Sequence, residues 1–420
     1  METQVDQTTF KSYLKLWSGQ LISLLGSSIA SFTIIWWIML ETESALYLSI
    51  AALLSFAPLI ILGPFSGVFV DRWNRKALIG VVDFLQALTT VFMIVLFMLD
   101  IASVWYILAL LGLRGVFQAF HNPAVSAIIP LMVPREKLSR INGVNYLLTG
   151  ALTLAGPLVG ALLLEYWRIS DILWIDAITF IVAVVPLLMI NVPPVRKEQG
   201  LSPIAPSFRD EFSEGLGFIR RAKGFLTFAM VATALNFLLT PLSTILPYYV
   251  KVDHLGDASS LALVSAFFQG GILAGGVLMS VMKGFQRKTV AIAVSIYGIF
   301  TGYAFFALAP TGSFWVMAAS GLVMGFCVPI ANVSTQTIVQ TVVPPNLLGR
   351  VNSVLGSLAS AASPLGMILS GAVVEFAGTA SLLLLGCSGS GMLVMTLSWI
   401  FTDFRNLEDT KAGELQLRNI

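Results

Sequence analysis

Hydrophobic positions in this chain fall in long unbroken blocks, neither alternating as in a half-exposed strand nor striped as on a surface helix. Twelve blocks reach the roughly 20 residues a helix needs to cross a bilayer. They lie near 14 to 40, 45 to 70, 77 to 99, 103 to 131, 139 to 165 and 171 to 191, then 225 to 250, 258 to 282, 289 to 309, 313 to 342, 351 to 376 and 380 to 402. The longest polar interval, 192 to 224, separates six spans from six and opens on Pro193 and Pro194. The pattern predicts an all-α membrane protein: an N-terminal six-helix bundle over 1–191, a linker over 192–224, a second bundle over 225–403 and a tail over 404–420. Inside the linker, "SFRDEFSEGLGFIRR" places Ser207 and Asp210 as a capping box and repeats Phe208, Phe212, Leu216 and Ile219 on one face. That spacing predicts a helix lying on the membrane surface, with a partner-binding helix as the alternative.

Composition agrees. Charged residues make up 11% of the 420 positions, where a soluble domain carries about 25%, and mean hydropathy is +0.87. The few charges are unevenly placed. If both termini share a side, 21 of the Lys and Arg residues fall on that side and only Arg168 and Lys251 on the other, with Arg114 inside a span. The positive-inside rule makes the basic side cytoplasmic. Basic residues are then topology signals, and a nucleic-acid partner is not expected. No short apolar leader with a small-residue cleavage site precedes the first span, so that span is expected to be retained. Cys327 and Cys387 sit in apolar runs and read as core residues rather than a disulfide framework or a metal site.

The halves repeat each other. "VPREKLSRINGV" from Val133 and "VPPNLLGRVNSV" from Val343 match at six positions with an offset of 210, half the chain length. Glycine pairs four residues apart recur as Gly63/Gly67 and Gly271/Gly275, a spacing that lets helix backbones approach closely. An internally repeated membrane protein is expected to bind between its halves and to work by rocking one against the other.

Between spans two and three stands "GVFVDRWNRK". It resembles the signature of the major facilitator superfamily at Gly67, Asp71, Arg72, Arg75 and Lys76. Asn74 stands where that family usually has glycine and is expected to take up the left-handed backbone that glycine would. A degenerate second copy, "GVLMSVMKGFQRK", keeps Gly276, Arg287 and Lys288 and has Ser280 for the aspartate. "WSGQLISLL" and "AFHNPAVSAIIPLMVP" are similar to the macrolide-efflux group of drug:proton antiporters. Gly156, Pro157 and Gly160 resemble the antiporter Gly-Pro motif in span five, and Ser363, Pro364 and Gly366 echo it in span eleven. Arg114 matches the arginine of the family's fourth-helix motif, with Gln118 in place of a glycine. The resemblance implies two pseudo-symmetric six-helix bundles, a monomer in a bacterial-type plasma membrane, alternating access and export of an amphiphilic cargo against protons. It also implies a cytoplasmic gate. Asp71 would face the start of span eleven, a contact worth about 0.3 to 1 kcal/mol, with Arg72 and Arg75 fastening neighbouring helix ends and Asp83, Lys76 and Arg350 beside them.

Ionisable groups inside spans are expensive and therefore informative. Arg114 and His121 are two turns apart on one helix face, with Phe117 and Gln118 between, and form a candidate proton-sensitive pair; the alternative is structural, with His121 hydrogen-bonded to a neighbouring helix and Arg114 holding a cluster of carbonyls. Asp176 is a third coupling candidate; its place about five residues into span six also suits a capping or snorkelling aspartate. Polar stripes on spans one (Gln20, Ser23, Ser27, Ser31), seven (Asn236, Thr240, Thr244) and ten (Asn332, Gln336, Gln340) are expected to line the substrate path. Phe32, Trp36, Phe117, Phe237 and Phe326 would add apolar contacts to a bulky, partly cationic cargo. No phosphate-binding loop, zinc-protease helix or nucleophile elbow is present. An enzyme is therefore not expected, no cofactor is needed, and an ion gradient is the natural energy source. The remaining alternatives are a lysophospholipid or siderophore carrier on the same fold, and a non-transporting membrane sensor or scaffold.

Overall fold

The structure, a computed structural model, describes residues 7–190, 208–222, 224–282 and 284–409, with positions 64, 67, 68, 71, 72, 208–211 and 409 described by backbone alone. Fourteen α-helices follow one another among the described residues. They are α1 (Gln7–Thr42), α2 (Ala45–Arg72), α3 (Arg75–Met98), α4 (Val104–Met132), α5 (Arg135–Tyr166), α6 (Ile169–Met189) and α7 (Phe208–Arg221). The second series is α8 (Phe225–Tyr248), α9 (Ala258–Val281), α10 (Lys288–Ala307), α11 (Phe314–Val342), α12 (Leu348–Ala361), α13 (Ser363–Ala377) and α14 (Ala380–Phe401). Twelve spans are long and apolar enough to cross a membrane, α12 and α13 together making one and α7 none. Several helices outrun their apolar blocks: α1 begins at Gln7 and α5 at Arg135, because polar side chains continue the backbone ladder beyond the hydrocarbon. Ser207 and Asp210, the expected capping box, lie outside the described residues and side chains.

Contacts divide the chain into two compact units, Met1–Glu198 with Gly256–Ala262 and Gln199–Leu255 with Leu263–Ile420. In the first unit α1 packs on α5 and α6, α2 on α4, and α3 on α4 and α6. In the second, α8 packs on α12, α13 and α14, and α10 on α11 and α14.

Glycines set the closest approaches. A Cβ at Gly156 would strike Ser28, and one at Gly160 would lie 2.9 Å from Phe32 Cδ1, so the span-five motif seats α5 on α1. A Cβ at its counterpart Gly366 would lie 2.9 Å from the Phe237 carbonyl and 3.1 Å from Thr240 Cβ, so this glycine seats α13 on α8. The two prolines differ. Pro157 lies within a continuous α5, whereas ahead of Pro364 the helical hydrogen-bond ladder lapses at one residue, Ala362, whose backbone stays right-handed helical (φ −77°, ψ −24°). Gly271 and Gly275 press α9 onto the α11 backbone at Leu322 and Phe326, and Gly325 answers from α11 against Phe268. The expected first-half equivalent at Gly63 does not form: a Cβ there would meet nothing within 4 Å. Gly115 of α4 makes that approach instead: a Cβ there would lie 2.7 Å from the Ser55 carbonyl of α2.

The linker helix α7 is docked on protein. Ile219 and Ala222 are buried, a Cβ at Gly215 would lie 2.8 Å from the Arg350 carbonyl, and Glu214 pairs with the Arg350 guanidinium at the start of α12. After α14, a 3₁₀ helix over Asp403–Asp409 buries Phe404 and Leu407, and Glu408 accepts from the Thr289 N–H at 2.5 Å. A π-helical turn, Tyr249–Asp253, closes α8; Asp253 then accepts from the Ala380 N–H at 2.8 Å and the Thr379 hydroxyl at 3.1 Å, capping α14.

Candidate functional site

Four helices of the first unit bring their polar residues together in two tiers. α1, α3 and α4 each carry a pair of polar residues seven positions apart: Gln20 and Ser27, Asp83 and Thr90, His121 and Arg114. Seven residues are two turns, about 10 Å of rise, so each pair lies on one face and α4, running opposite to α1 and α3, matches them in reverse order. α6 adds Asp176.

The upper tier joins Ser27, Thr90, Arg114 and Asp176. Asp176 is fully buried, and its Oδ2 accepts from Arg114 Nη1 at 2.9 Å and from the Thr90 hydroxyl at 2.7 Å. Its Oδ1 accepts from Ser27 at 2.8 Å. Arg114 Nη1 also reaches Thr90 Oγ1 at 2.9 Å. A lone guanidinium at mid-span would cost about 2.5 to 3.5 kcal/mol or more. Here it meets a carboxylate that two hydroxyls also bind, so one charge is neutralised and both carboxylate oxygens are satisfied.

The lower tier joins Gln20, Asp83 and His121, nearer the helix ends that carry Lys15, Arg75 and Lys76. Gln20 Nε2 donates to Asp83 Oδ2 at 3.1 Å. His121 Nε2 stands 2.9 Å from Asp83 Oδ1, outside hydrogen-bond alignment, and both its ring nitrogens and Oδ1 lack a hydrogen-bond partner. Asp83 is 1% exposed and His121 14%, so the imidazole is the side of the pair nearer open space.

Three expectations change at this site. Arg114 and His121 share a face but stand two turns apart, and each faces a carboxylate from another helix, Asp176 of α6 and Asp83 of α3. Asp176 is neither a cap nor a snorkelling residue, since α6 turns it inward onto α1, α3 and α4. Asp83 belongs to the bundle interior beside His121. Gln20 and Ser27, expected along a substrate path, direct their polar groups into this ladder, and Phe32 and Trp36 are buried. Trp17 was missed: its Nε1 donates to Asn145 Oδ1 at 2.7 Å and ties α1 to α5. The seven-residue spacing on three helices was the available signal.

At the basic end, Asn74 has φ −67° and ψ 111°, so it does not adopt glycine's left-handed backbone. It is the N-cap of α3, and its side chain accepts from the Ala77 N–H at 3.2 Å. Arg75 donates to the Ala127 carbonyl on α4 at 2.9 Å. Lys76 donates to the Leu188 and Ile190 carbonyls at the end of α6, at 2.9 and 2.6 Å. Arg75 thus ties α3 to the last third of α4, and Lys76 fastens the end of α6, where unpaired carbonyls and the helix dipole favour positive charge. The side chains of Asp71 and Arg72, and Gly67 beyond its backbone, lie outside what is described. Arg350 is engaged by Glu214.

The other stripe residues divide by exposure. Asn332, Gln336 and Gln340 are exposed along α11, and Asn236 is exposed on α8 with its amide on the Ala232 carbonyl. Thr240 is buried with its hydroxyl on the Asn236 carbonyl, and Phe237 and Phe326 are half-buried. Gln118 donates to exposed Asn122 at 2.9 Å, and half-buried Phe117 packs on the apolar cluster that includes Ala124, Ile128 and Ile79. No cluster of three or more potential metal ligands occurs among the described residues.

Residues 16–298 and 243–419 match the profile of the Major Facilitator Superfamily. The chain is 30% identical over 388 residues to macrolide efflux protein A of Streptococcus pyogenes, covering 92% of this chain and 94% of that one. It is 28% identical over 363 residues to the multidrug efflux pump Tap of Mycolicibacterium fortuitum, covering 84% and 87%. Among solved structures, nucleoside transporter NupG superposes with a TM-score of 0.70 at 14% identity, over 92% of this chain and 98% of that one. A bacterial homologue of the human lysosomal transporter Spinster, inward-facing and unoccupied, gives 0.65 at 15% identity, over 96% and 98%. A twelve-span chain matched along nearly its whole length by this family is a multi-pass membrane transporter and not an enzyme: the protein belongs to the major facilitator superfamily.

Proposed function

We propose that this transporter exports amphiphilic, macrolide-like drugs by alternating access and that protons moving inward drive the step. The observation that carries the cargo class is the 30% identity to macrolide efflux protein A over 92% of the chain. The support for proton coupling is chemical: two carboxylates, an arginine and a histidine are held inside one unit, at a cost that structure alone does not require. Exposed Asn236, Asn332 and Gln336 would supply polar contacts to the cargo, since amides at mid-span are disfavoured against lipid. The Lys/Arg distribution supports cytoplasmic termini in a bacterial plasma membrane. Asp71, with Arg72, is assigned the cytoplasmic gate, and the chain works as a monomer among lipids.

Everted membrane vesicles test this reading. With the lumen acidified, vesicles holding the protein accumulate radiolabelled erythromycin above protein-free controls, and a proton ionophore collapses the accumulation. Uptake equal to the controls would overturn the reading.

A further inference from the structure

We infer that the two tiers divide their labour: the Asp83–His121 pair is the site that takes up and releases the transported proton, and the Arg114–Asp176 pair is a permanently charged clamp that positions it. The inference rests on the export reading above.

The chemistry of the tiers differs. Asp176 accepts from three donors, one of them an arginine that does not deprotonate in proteins. Protonating Asp176 would strand the guanidinium inside the bundle. The lower tier has no such penalty. Its partner is an imidazole, the side chain whose charge changes most readily near neutral pH. Among the described residues its one hydrogen bond comes from a neutral amide, while Asp83 Oδ1 and both nitrogens of His121 are buried without one. Unfilled polar atoms facing each other at 2.9 Å are placed to share one proton. With the proton absent, the pair carries a carboxylate and a neutral ring, net charge −1. With it present, held as an imidazole N–H or a carboxyl O–H, the pair is neutral. The proton is bound from water on one side of the membrane and returned to water on the other, with no other bond changed.

Charged groups on the neighbouring helices fit this assignment. α1 has none between Lys15 and Glu41, α4 offers only Arg114 and α6 only Asp176 and Asp171. On α3 the nearest cations, Arg75 and Lys76, are held by carbonyls of α4 and α6. α2 ends in Asp71 and Arg72, and α5 contributes Arg135, Glu136, Lys137 and Arg140 at its start and Glu165 near its end. Among the described side chains within the bundle Arg114 is thus the one fixed positive charge, two turns away and already neutralised, so loading the lower tier changes the local charge from −1 to zero. Access runs through His121, the more exposed partner, which adjoins exposed Asn122.

Reconstituted vesicles separate the outcomes. Wild-type protein is expected to show both pH-gradient-driven erythromycin uptake and erythromycin exchange without a gradient; exchange without driven uptake would overturn proton coupling itself. In Asp83→Asn, driven uptake is expected to fall at least about tenfold while exchange persists. Driven uptake at the wild-type rate would overturn the assignment alone. Should Asp83→Asn not enter the membrane, His121→Gln reports on the same pair: the pH dependence of erythromycin affinity expected of the wild type is expected to be lost. A wild-type pH profile in His121→Gln would equally overturn the assignment.

Discussion

Arg114 of α4 and Asp176 of α6, 62 positions apart in sequence, meet at 2.9 Å in the apolar interior of the first unit, with Thr90 bonded to both. Asp176 is fully buried and Arg114 largely so, and each is tolerable only because of the other. Removing one partner leaves a buried uncompensated charge, which typically costs about 3 to 5 kcal/mol. Replacing both with apolar residues of similar volume is often neutral. Arg114→Met alone and Asp176→Leu alone are therefore expected to lower the unfolding temperature in detergent far more than the double variant does. A double variant as damaged as the sum of the singles would show that the two side chains do not depend on each other.

Asn74 offers a test of a cap against a turn. As the N-cap of α3 it supplies an acceptor to Ala77, so Asn74→Ala is expected to cost about 0.5 to 2 kcal/mol, Asn74→Asp almost nothing and Asn74→Gly a few tenths. If the position instead required a left-handed backbone, glycine would be the stabilising choice. Chemical denaturation of the purified protein ranks the three.

Glycine contacts give the sharpest steric contrast. A methyl group at Gly325 would overlap the Phe268 carbonyl, where backbone cannot yield, and Gly325→Ala is expected to destabilise by about 1 to 3 kcal/mol. Gly63→Ala meets open space within a helix and should be neutral or stabilise by up to about 1 kcal/mol. Thermal melts of the two variants side by side decide it; equal effects would contradict the packing.

His254, just past the π-helical turn, links stability to pH. Burial lowers its pKa below the ordinary value of 6.5, and the Asp253 carboxylate and the Pro310 carbonyl only partly oppose that shift. The folded chain thus binds this proton more weakly than the unfolded chain. Its contribution to stability is complete above pH 6.5 and is lost as pH falls toward the lowered folded value. His254→Gln is expected to flatten the decline in melting temperature below about pH 6.5 relative to wild type. An unchanged slope would assign the decline to other groups.

The spans were legible because the bilayer imposes a length, and a run of twenty apolar residues has few other uses. Break points were less so. Pro157 and Pro364 occupy related places, yet only ahead of the second does the helical ladder lapse, and local sequence does not distinguish them. Arg114, His121 and Asp176 could be recognised as unusual residues, but their partners could not. A lone charge in a span announces that a counter-charge exists without saying on which helix, and the pairing emerged only when α3 and α6 were laid against α4. Asn74 misled for a related reason: its tolerance of a left-handed backbone and its talent for capping are both properties of a short amide, and the choice between them is made by the N–H of Ala77.

Gly215 and Glu214 seat α7 on the first turn of α12, which itself packs on α8. The linker helix is thereby a built-in part of the second unit: a larger side chain at position 215 is felt as lost packing at the start of span eleven and not merely as a change in a connecting segment.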